Sequence, residues 1–202
     1  MAKSRFKFKI RSLLAMTATA AILLGFAMHW VRRAENQKAQ LDALREERAA
    51  VGYKLPKNGI QQTIGDKIGV DMVAQPKELF LNSRPDEPVD MASIIAVDTI
   101  EHLVFNMTGV TDDDLGELHK MKNLKYLNVS STKVSDAGIS NITDLNLISL
   151  HIEHLNLTDA CIDSLSKIKS LKWISATKGT FSQEAVKDLK SQLPECEIHL
   201  AN

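Results

Sequence analysis

The chain has 202 residues and no formal net charge, since 25 basic side chains balance 25 acidic ones. The balance conceals an asymmetry: residues 1–75 carry 13 Lys and Arg against 6 Asp and Glu, and residues 76–202 carry 12 against 19. An acidic C-terminal part argues against nucleic acid as a partner, because phosphate binding needs a basic surface. The two cysteines, Cys161 and Cys196, are too few for a disulfide scaffold.

A basic segment, residues 1–12, precedes an uncharged run of 19 residues at 13–31. As a helix this run would be about 28 Å long, close to the thickness of a bilayer's hydrocarbon core, and Trp30 would lie at its interface. We therefore expect a transmembrane helix at 13–31 that acts as an uncleaved signal-anchor. The basic cluster before it favours a cytoplasmic N-terminus and repeats outside the cytoplasm. A cleaved signal peptide is the alternative, but the only Ala-x-Ala, at residues 18–20, lies inside the run.

Helix-forming residues dominate residues 32–50, which predict a charged helical stalk. Ala34, Leu41 and Leu44 recur at heptad spacing until Arg48 breaks the seam. That pattern leaves weak homo-oligomerisation open as an alternative. Residues 51–75 predict a glycine-punctuated linker and a short capping helix, whose apolar face carries Ile60, Ile64 and Ile68.

The rest of the chain repeats itself. The apolar residues Val110, Val134, Leu157 and Phe181 are separated by 24, 23 and 24 positions, and each is preceded by an L-x-x-L-x-L-like strand and followed by a helical pattern. Thr111, Ser135, Thr158 and Ser182 stand where helix N-caps are expected, mostly with Asp in the next position. We interpret these aspartates as structural.

A degenerate cap repeat at 76–99 and four repeats at 100–199 form a single domain, residues 76–202. The unit "LKYLNVSSTKVSDAGISNITDLN" resembles a leucine-rich repeat, and the chain as a whole is similar to short bacterial single-pass membrane-anchored leucine-rich-repeat proteins. The resemblance implies an α/β solenoid with parallel strands on the concave face and helices on the convex face. It also implies a protein-interaction scaffold without catalytic residues.

Strand alternation should point every second strand residue to the concave face. This face mixes aromatic and hydrogen-bonding side chains, a composition that recurs at protein interfaces. We therefore predict that it binds an unidentified protein or peptide, against the alternatives of a merely solvated sheet face and of a self-assembling envelope protein. The predicted site residues are His102, Tyr126, Trp173, Asn128, His151, Asn106, Ser130 and Glu153.

No motif of an enzyme or of a cofactor site occurs in the sequence. His151 and His154 would point to opposite faces of a strand, and the acids of "TDDDLGE" lack the alternating ligand spacing of a calcium loop. We accordingly expect neither catalysis nor a bound metal or cofactor. The two cysteines are expected to pack as small apolar residues, with a bridge between them left open.

Overall fold

The computed structural model describes residues 10–46, 48–54, 74–81 and 83–202. Most of the basic segment, residues 1–9, lies outside the described residues. So does the expected capping helix with Ile60, Ile64 and Ile68.

The predicted membrane segment and stalk form one continuous helix, α1, at Ile10–Glu46. Within the described part of the chain, no helix combines the length and the apolar composition that crossing a membrane requires.

Strands and short helices alternate after α1. In chain order the strands are β1 (Ala50–Lys54), β2 (Gln75–Phe80), β3 (His102–Val104), β4 (Tyr126–Asn128), β5 (Ser149–Ile152), β6 (Trp173–Thr177) and β7 (Glu197–Ala201). The helices are α2 (Met91–Ile95), α3 (Asp112–Glu117), α4 (Asp136–Asn141), α5 (Ile162–Lys167) and α6 (Gln183–Gln192), with 3₁₀ turns at Leu118–Lys120 and Asp159–Cys161. This alternation confirms the predicted solenoid.

The seven strands form one sheet in sequential order. β2 to β7 are parallel, and β1 pairs antiparallel with β2. β1 occupies residues that we had assigned to the end of the stalk and the beginning of the linker. Its pairing protects the sheet edge that the first repeat would otherwise expose.

The core lies between the sheet and the row of helices. The predicted inward positions of the four repeats are Leu103, Leu127, Leu150 and Ile174, and each exposes 1% of its surface or less. The same apolar cluster continues without a break from α1 to the C-terminal strand. The repeats therefore share one core, as units that cannot bury their apolar side alone must do.

The second half of α1 packs against the helix of the cap repeat, α2, and against β1, and does not extend away from the domain. Ala34, Leu41 and Leu44 are all buried, the two leucines completely. Gln37 Nε2 also donates a hydrogen bond of 3.1 Å to the carbonyl of Ala74. The sequence predicts that these three apolar residues form part of a free stalk or a self-association seam. In the structure they pack within the protein itself and cover the open end of its core.

The helical segment of each of the four repeats begins where the sequence predicts, since Thr111, Ser135, Thr158 and Ser182 directly precede helical turns. The aspartates that follow them also join one repeat to the next. The Asp112 carboxylate accepts hydrogen bonds from the backbone N–H (2.7 Å) and Oγ (2.6 Å) of Ser135. Asp136 does the same for Thr158, at 2.9 and 2.5 Å.

The third aspartate of this series, Asp159, accepts a hydrogen bond of 2.9 Å from the backbone N–H of Ser182. In the last repeat Gln183 replaces the aspartate. The aspartates are structural, as predicted, and their role extends beyond the helix dipole to bonding between repeats.

Candidate protein-binding surface

The register of the parallel strands places the concave residues in columns. One column runs Glu78, His102, Tyr126, Ser149, Trp173 and Glu197. The next runs Phe80, Val104, Asn128, His151, Ser175 and His199. The columns agree with the prediction and extend it by one strand on each side.

Four concave residues, Glu78, Phe80, Glu197 and His199, are missing from the predicted surface. The sequence contains a signal for them, because Leu79 and Ile198 pair with the core positions Leu103 and Ile174 in the strand register. Carrying the repeat spacing into the cap repeat and the C-terminal segment would have found all four.

Asn106, Ser130 and Glu153 form a third column, one or two positions after the ends of β3, β4 and β5. The backbone N–H of Met107 donates to the Ser130 carbonyl at 3.0 Å, and that of Ser131 donates to the Glu153 carbonyl at 2.9 Å. Met107 and Ser131 have positive φ angles of 59° and 56°, so the backbone turns sharply after each column residue. The turn holds Asn106, Ser130 and Glu153 in line across neighbouring repeats.

Glu153 is the centre of a hydrogen-bonded cluster. The hydroxyls of Ser130 and Ser175 donate to its two carboxylate oxygens, and His151 Nδ1 lies 3.6 Å from Oε1. Partial burial acts to raise the pKa of Glu153, but the hydrogen bonds from Ser130 and Ser175 outweigh it and hold the pKa below its ordinary value. The carboxylate is therefore ionised at neutral pH and fixed in position by hydroxyls from the two neighbouring repeats.

Two stacked ring pairs stand on either side of this cluster. The rings of His102 and Tyr126 have centroids 3.9 Å apart, and those of Trp173 and His199 have centroids 5.7 Å apart. All four residues belong to the concave columns. Each pair presents a flat surface whose conformation is restricted by its neighbour, a property of residues that dominate binding interfaces.

A pocket of about 200 Å³ lies on the concave side of the first parallel strands. Its polar and aromatic lining comes from Glu78, Phe80, His102, Tyr126, Asn128 and His151. Pockets for small-molecule ligands usually measure about 300–1,000 Å³. The volume here suits one side chain of a larger partner better than a complete small ligand.

The structure brings most of the predicted residues together in two groups. His102, Tyr126, Asn128 and His151 line the pocket, and His151 lies between it and the cluster that contains Ser130 and Glu153. Two predicted residues lie apart from both groups. Trp173 stacks on His199, and Asn106 is exposed beyond the end of β3.

The described residues contain no group of three or more His, Cys, Asp or Glu side chains arranged to hold a metal ion. Cys161 and Cys196 are buried free thiols, so the bridge that the sequence left open is not formed. Burial, reinforced by the neighbouring Asp136 carboxylate, raises the pKa of Cys161 to about 12. A thiol in that state is not an activated nucleophile.

Sequential parallel strands, buried leucines and capped outer helices define this domain as an α/β solenoid of stacked strand–helix repeats. No family model matches the chain, and no curated protein matches it. Among solved structures, it is similar to an internalin from Listeria monocytogenes, with 21% sequence identity and a TM-score of 0.40. That likeness covers 56% of this chain and 38% of the internalin chain. The chain thus spans well under half of the length of that neighbour.

Proposed function

We propose that this protein is a membrane-associated leucine-rich-repeat module that binds a protein or peptide segment on its concave sheet face. The observation that carries the proposal is the pocket beside the Glu153 cluster, because it joins aromatic surface to a fixed carboxylate on one rigid sheet. Groups that are already fixed in the free protein lose little conformational entropy on binding.

Membrane association is proposed from the side chains of α1. Along residues 22–31, large apolar residues are exposed on every side of the helix, with Phe26 71%, Leu23 68% and Leu24 63% accessible. A contiguous apolar surface of this kind indicates contact with a membrane or a partner. We propose that residues 13–31 attach the protein to the cell membrane, with the N-terminus cytoplasmic and the repeats outside the cytoplasm.

The alternative of a self-assembling envelope protein is less well supported. The heptad residues Leu41 and Leu44, which would form its seam, are buried in the protein's own core, at the end formed by the cap repeat. We also propose a binding function without catalysis, because the Ser149–His151 pair on the concave sheet is not accessible to a substrate. Ser149 Oγ lies 3.3 Å from His151 Nε2, but the serine is 7% exposed and cannot present its hydroxyl to a substrate.

The binding proposal is tested with random peptides displayed on phage and selected on the full chain held in lipid nanodiscs. We expect selected peptides to lose affinity by at least about thirtyfold against the double variant Tyr126→Ala/Trp173→Ala, since an interface hot-spot residue contributes about 2 kcal/mol or more. Affinities are measured by biolayer interferometry, and thermal unfolding of the variant confirms that the solenoid remains folded.

Glu184→Ala/Lys187→Ala is the matched control, because both side chains are exposed on α6 of the convex face. Selected peptides should bind this variant as they bind the unmodified chain. Peptides that bind the Tyr126/Trp173 variant unchanged, or that lose affinity for the convex variant instead, would overturn the assignment of the concave face.

A further inference from the structure

The two edges of the solenoid carry opposite charge. We use "helix-to-strand edge" for the residues that lead from the end of each helix to the next strand, residues 96–101, 117–125, 142–148, 167–172 and 193–196. The "strand-to-helix edge" comprises the turns and helix starts on the other side, residues 83–90, 106–114, 130–136, 153–163 and 178–184. Since all six strands of the parallel part run in one direction, each edge collects its residues from every repeat.

Lysines gather on the helix-to-strand edge. Residues 118–125 contain three lysines and no acid, and residues 167–172 also contain three lysines and no acid. Lys120, Lys125 and Lys172 pair with Glu117, Glu101 and Glu195. Lys122, Lys167 and Lys169 are exposed, and no carboxylate among the described residues pairs with them. The acids within this edge are Asp98, Glu101, Glu117, Asp144 and Glu195.

The strand-to-helix edge is acidic. Its acids are Asp86, Glu87, Asp90, Asp112, Asp113, Asp114, Asp136, Glu153, Asp159, Asp163 and Glu184. Only three basic residues lie there, Arg84, Lys133 and Lys178. The domain from residue 76 onward is acidic as a whole, so the lysines of the helix-to-strand edge are an exception confined to one side.

The path of α1 shows which edge its apolar half leaves. At its C-terminal end, Glu46 and Arg48 form a cleft with residues 83–89 of the strand-to-helix edge. Further back along the helix, Arg32 and Arg33 line a cleft of about 470 Å³ with residues 96–99 of the opposite edge. α1 therefore crosses the end of the solenoid, and its exposed apolar residues before His29 project beyond the helix-to-strand edge.

We propose that the helix-to-strand edge rests on the surface of a bilayer that contains anionic phospholipids. The proposal rests on the membrane association of α1 proposed above, and adds to it an orientation and a lipid class. Two independent features meet at this edge: the apolar helix that would enter the bilayer, with Arg32 and Arg33 at its end, and the unpaired lysines of the later repeats. Anionic headgroups attract such lysines, and the acidic edge faces away from them.

The test is hydrogen exchange on the full chain in nanodiscs of phosphatidylcholine alone and of phosphatidylcholine with phosphatidylglycerol. We expect slower amide exchange at residues 118–125 and 167–172 in the anionic discs, and unchanged exchange at residues 109–114. Each unpaired lysine should contribute roughly fivefold to the ratio of docked to undocked domain. Raising the salt to about 0.5 M should abolish the slowing, because it shortens the screening length to a few ångströms.

Two variants with equal charge change sharpen this test. Lys122→Gln/Lys167→Gln/Lys169→Gln should lose the lipid-dependent slowing, and Arg84→Gln/Lys133→Gln/Lys178→Gln, on the opposite edge, should keep it. Equal exchange of the edge in both disc compositions, or slowing that survives the first triple change, would overturn the proposal. Exchange at residues 19–31 reports separately on α1, since membrane association alone protects it in either composition.

Discussion

Asp112, Asp136 and Asp159 show how one residue position satisfies two requirements at once. Each lies in the first turn of its own helical segment, and each accepts hydrogen bonds from the N-cap of the next repeat. The contact also explains a glycine: a Cβ on Gly138 would lie 2.3 Å from Asp112 Oδ1. A small residue is needed there so that the carboxylate can reach Ser135.

Asp112→Ala should lower the free energy of unfolding by about 2 kcal/mol, because it removes two hydrogen bonds to an ionised acceptor. The measurement is urea unfolding followed by circular dichroism. Asp113→Ala is the matched control, since Asp113 occupies the adjacent position of the same helix and is exposed. It should cost only about 0.5 kcal/mol through the helix dipole. Equal losses in the two variants would show that the bonds between repeats contribute nothing.

Glu153→Gln should change how stability depends on pH. The folded-state pKa of Glu153 lies below its ordinary value, so its ionised form stabilises the fold above the unfolded-state pKa. That contribution is lost as the pH falls through the folded-state pKa. The unmodified chain should therefore melt above the variant at pH 7, and the difference should shrink below about pH 4.5. Thermal unfolding followed by circular dichroism measures the melting temperatures of the two proteins at each pH. A difference that stays constant with pH would contradict the lowered pKa of Glu153.

At the scale of elements, α1 combines two surfaces that need different surroundings. Its C-terminal half buries Leu41 and Leu44 in the core of the solenoid, whereas its N-terminal half exposes Leu23 and Phe26. Together with β1, the C-terminal half of α1 closes the first end of the repeat array. An uncovered terminal repeat would otherwise leave apolar surface in water.

Leu41→Ala should destabilise the solenoid by about 2–5 kcal/mol, since it removes a fully buried side chain and leaves a cavity. Leu23→Ala is the control on the same helix, because Leu23 is 68% exposed and contacts no core. Its effect on unfolding in detergent should be close to zero. If both variants unfold like the unmodified chain, α1 does not cap the array in solution.

At the scale of the whole molecule, the faces and edges of the solenoid differ in their side-chain composition. The concave columns contain aromatic residues, histidines and three carboxylates, and the helices cover the opposite face of the sheet. The two edges differ in charge, and α1 emerges from the basic one. A protein attached by α1 with that edge on the bilayer would present its concave face sideways, accessible to a partner.

Much of the fold could be predicted from the sequence because its signals are local. The spacing of Val110, Val134, Leu157 and Phe181 sets the repeat length, and the N-caps mark where helices begin. Six of the eight predicted site residues belong either to the pocket or to the Glu153 cluster. The other two, Trp173 and Asn106, follow the same alternation but lie outside these groups.

The sequence by itself determined the repeat register, the buried positions and the concave columns, because burial repeats with the period of the strand and helix. Tertiary structure alone decided three further features: the packing of Leu41 and Leu44, the strand at Ala50–Lys54, and the bonds that Ser130 and Ser175 donate to Glu153. It also decided which edge α1 leaves. Each of these depends on residues at least 20 positions apart or on the direction in which a helix crosses the domain. No local periodicity encodes such distant pairings.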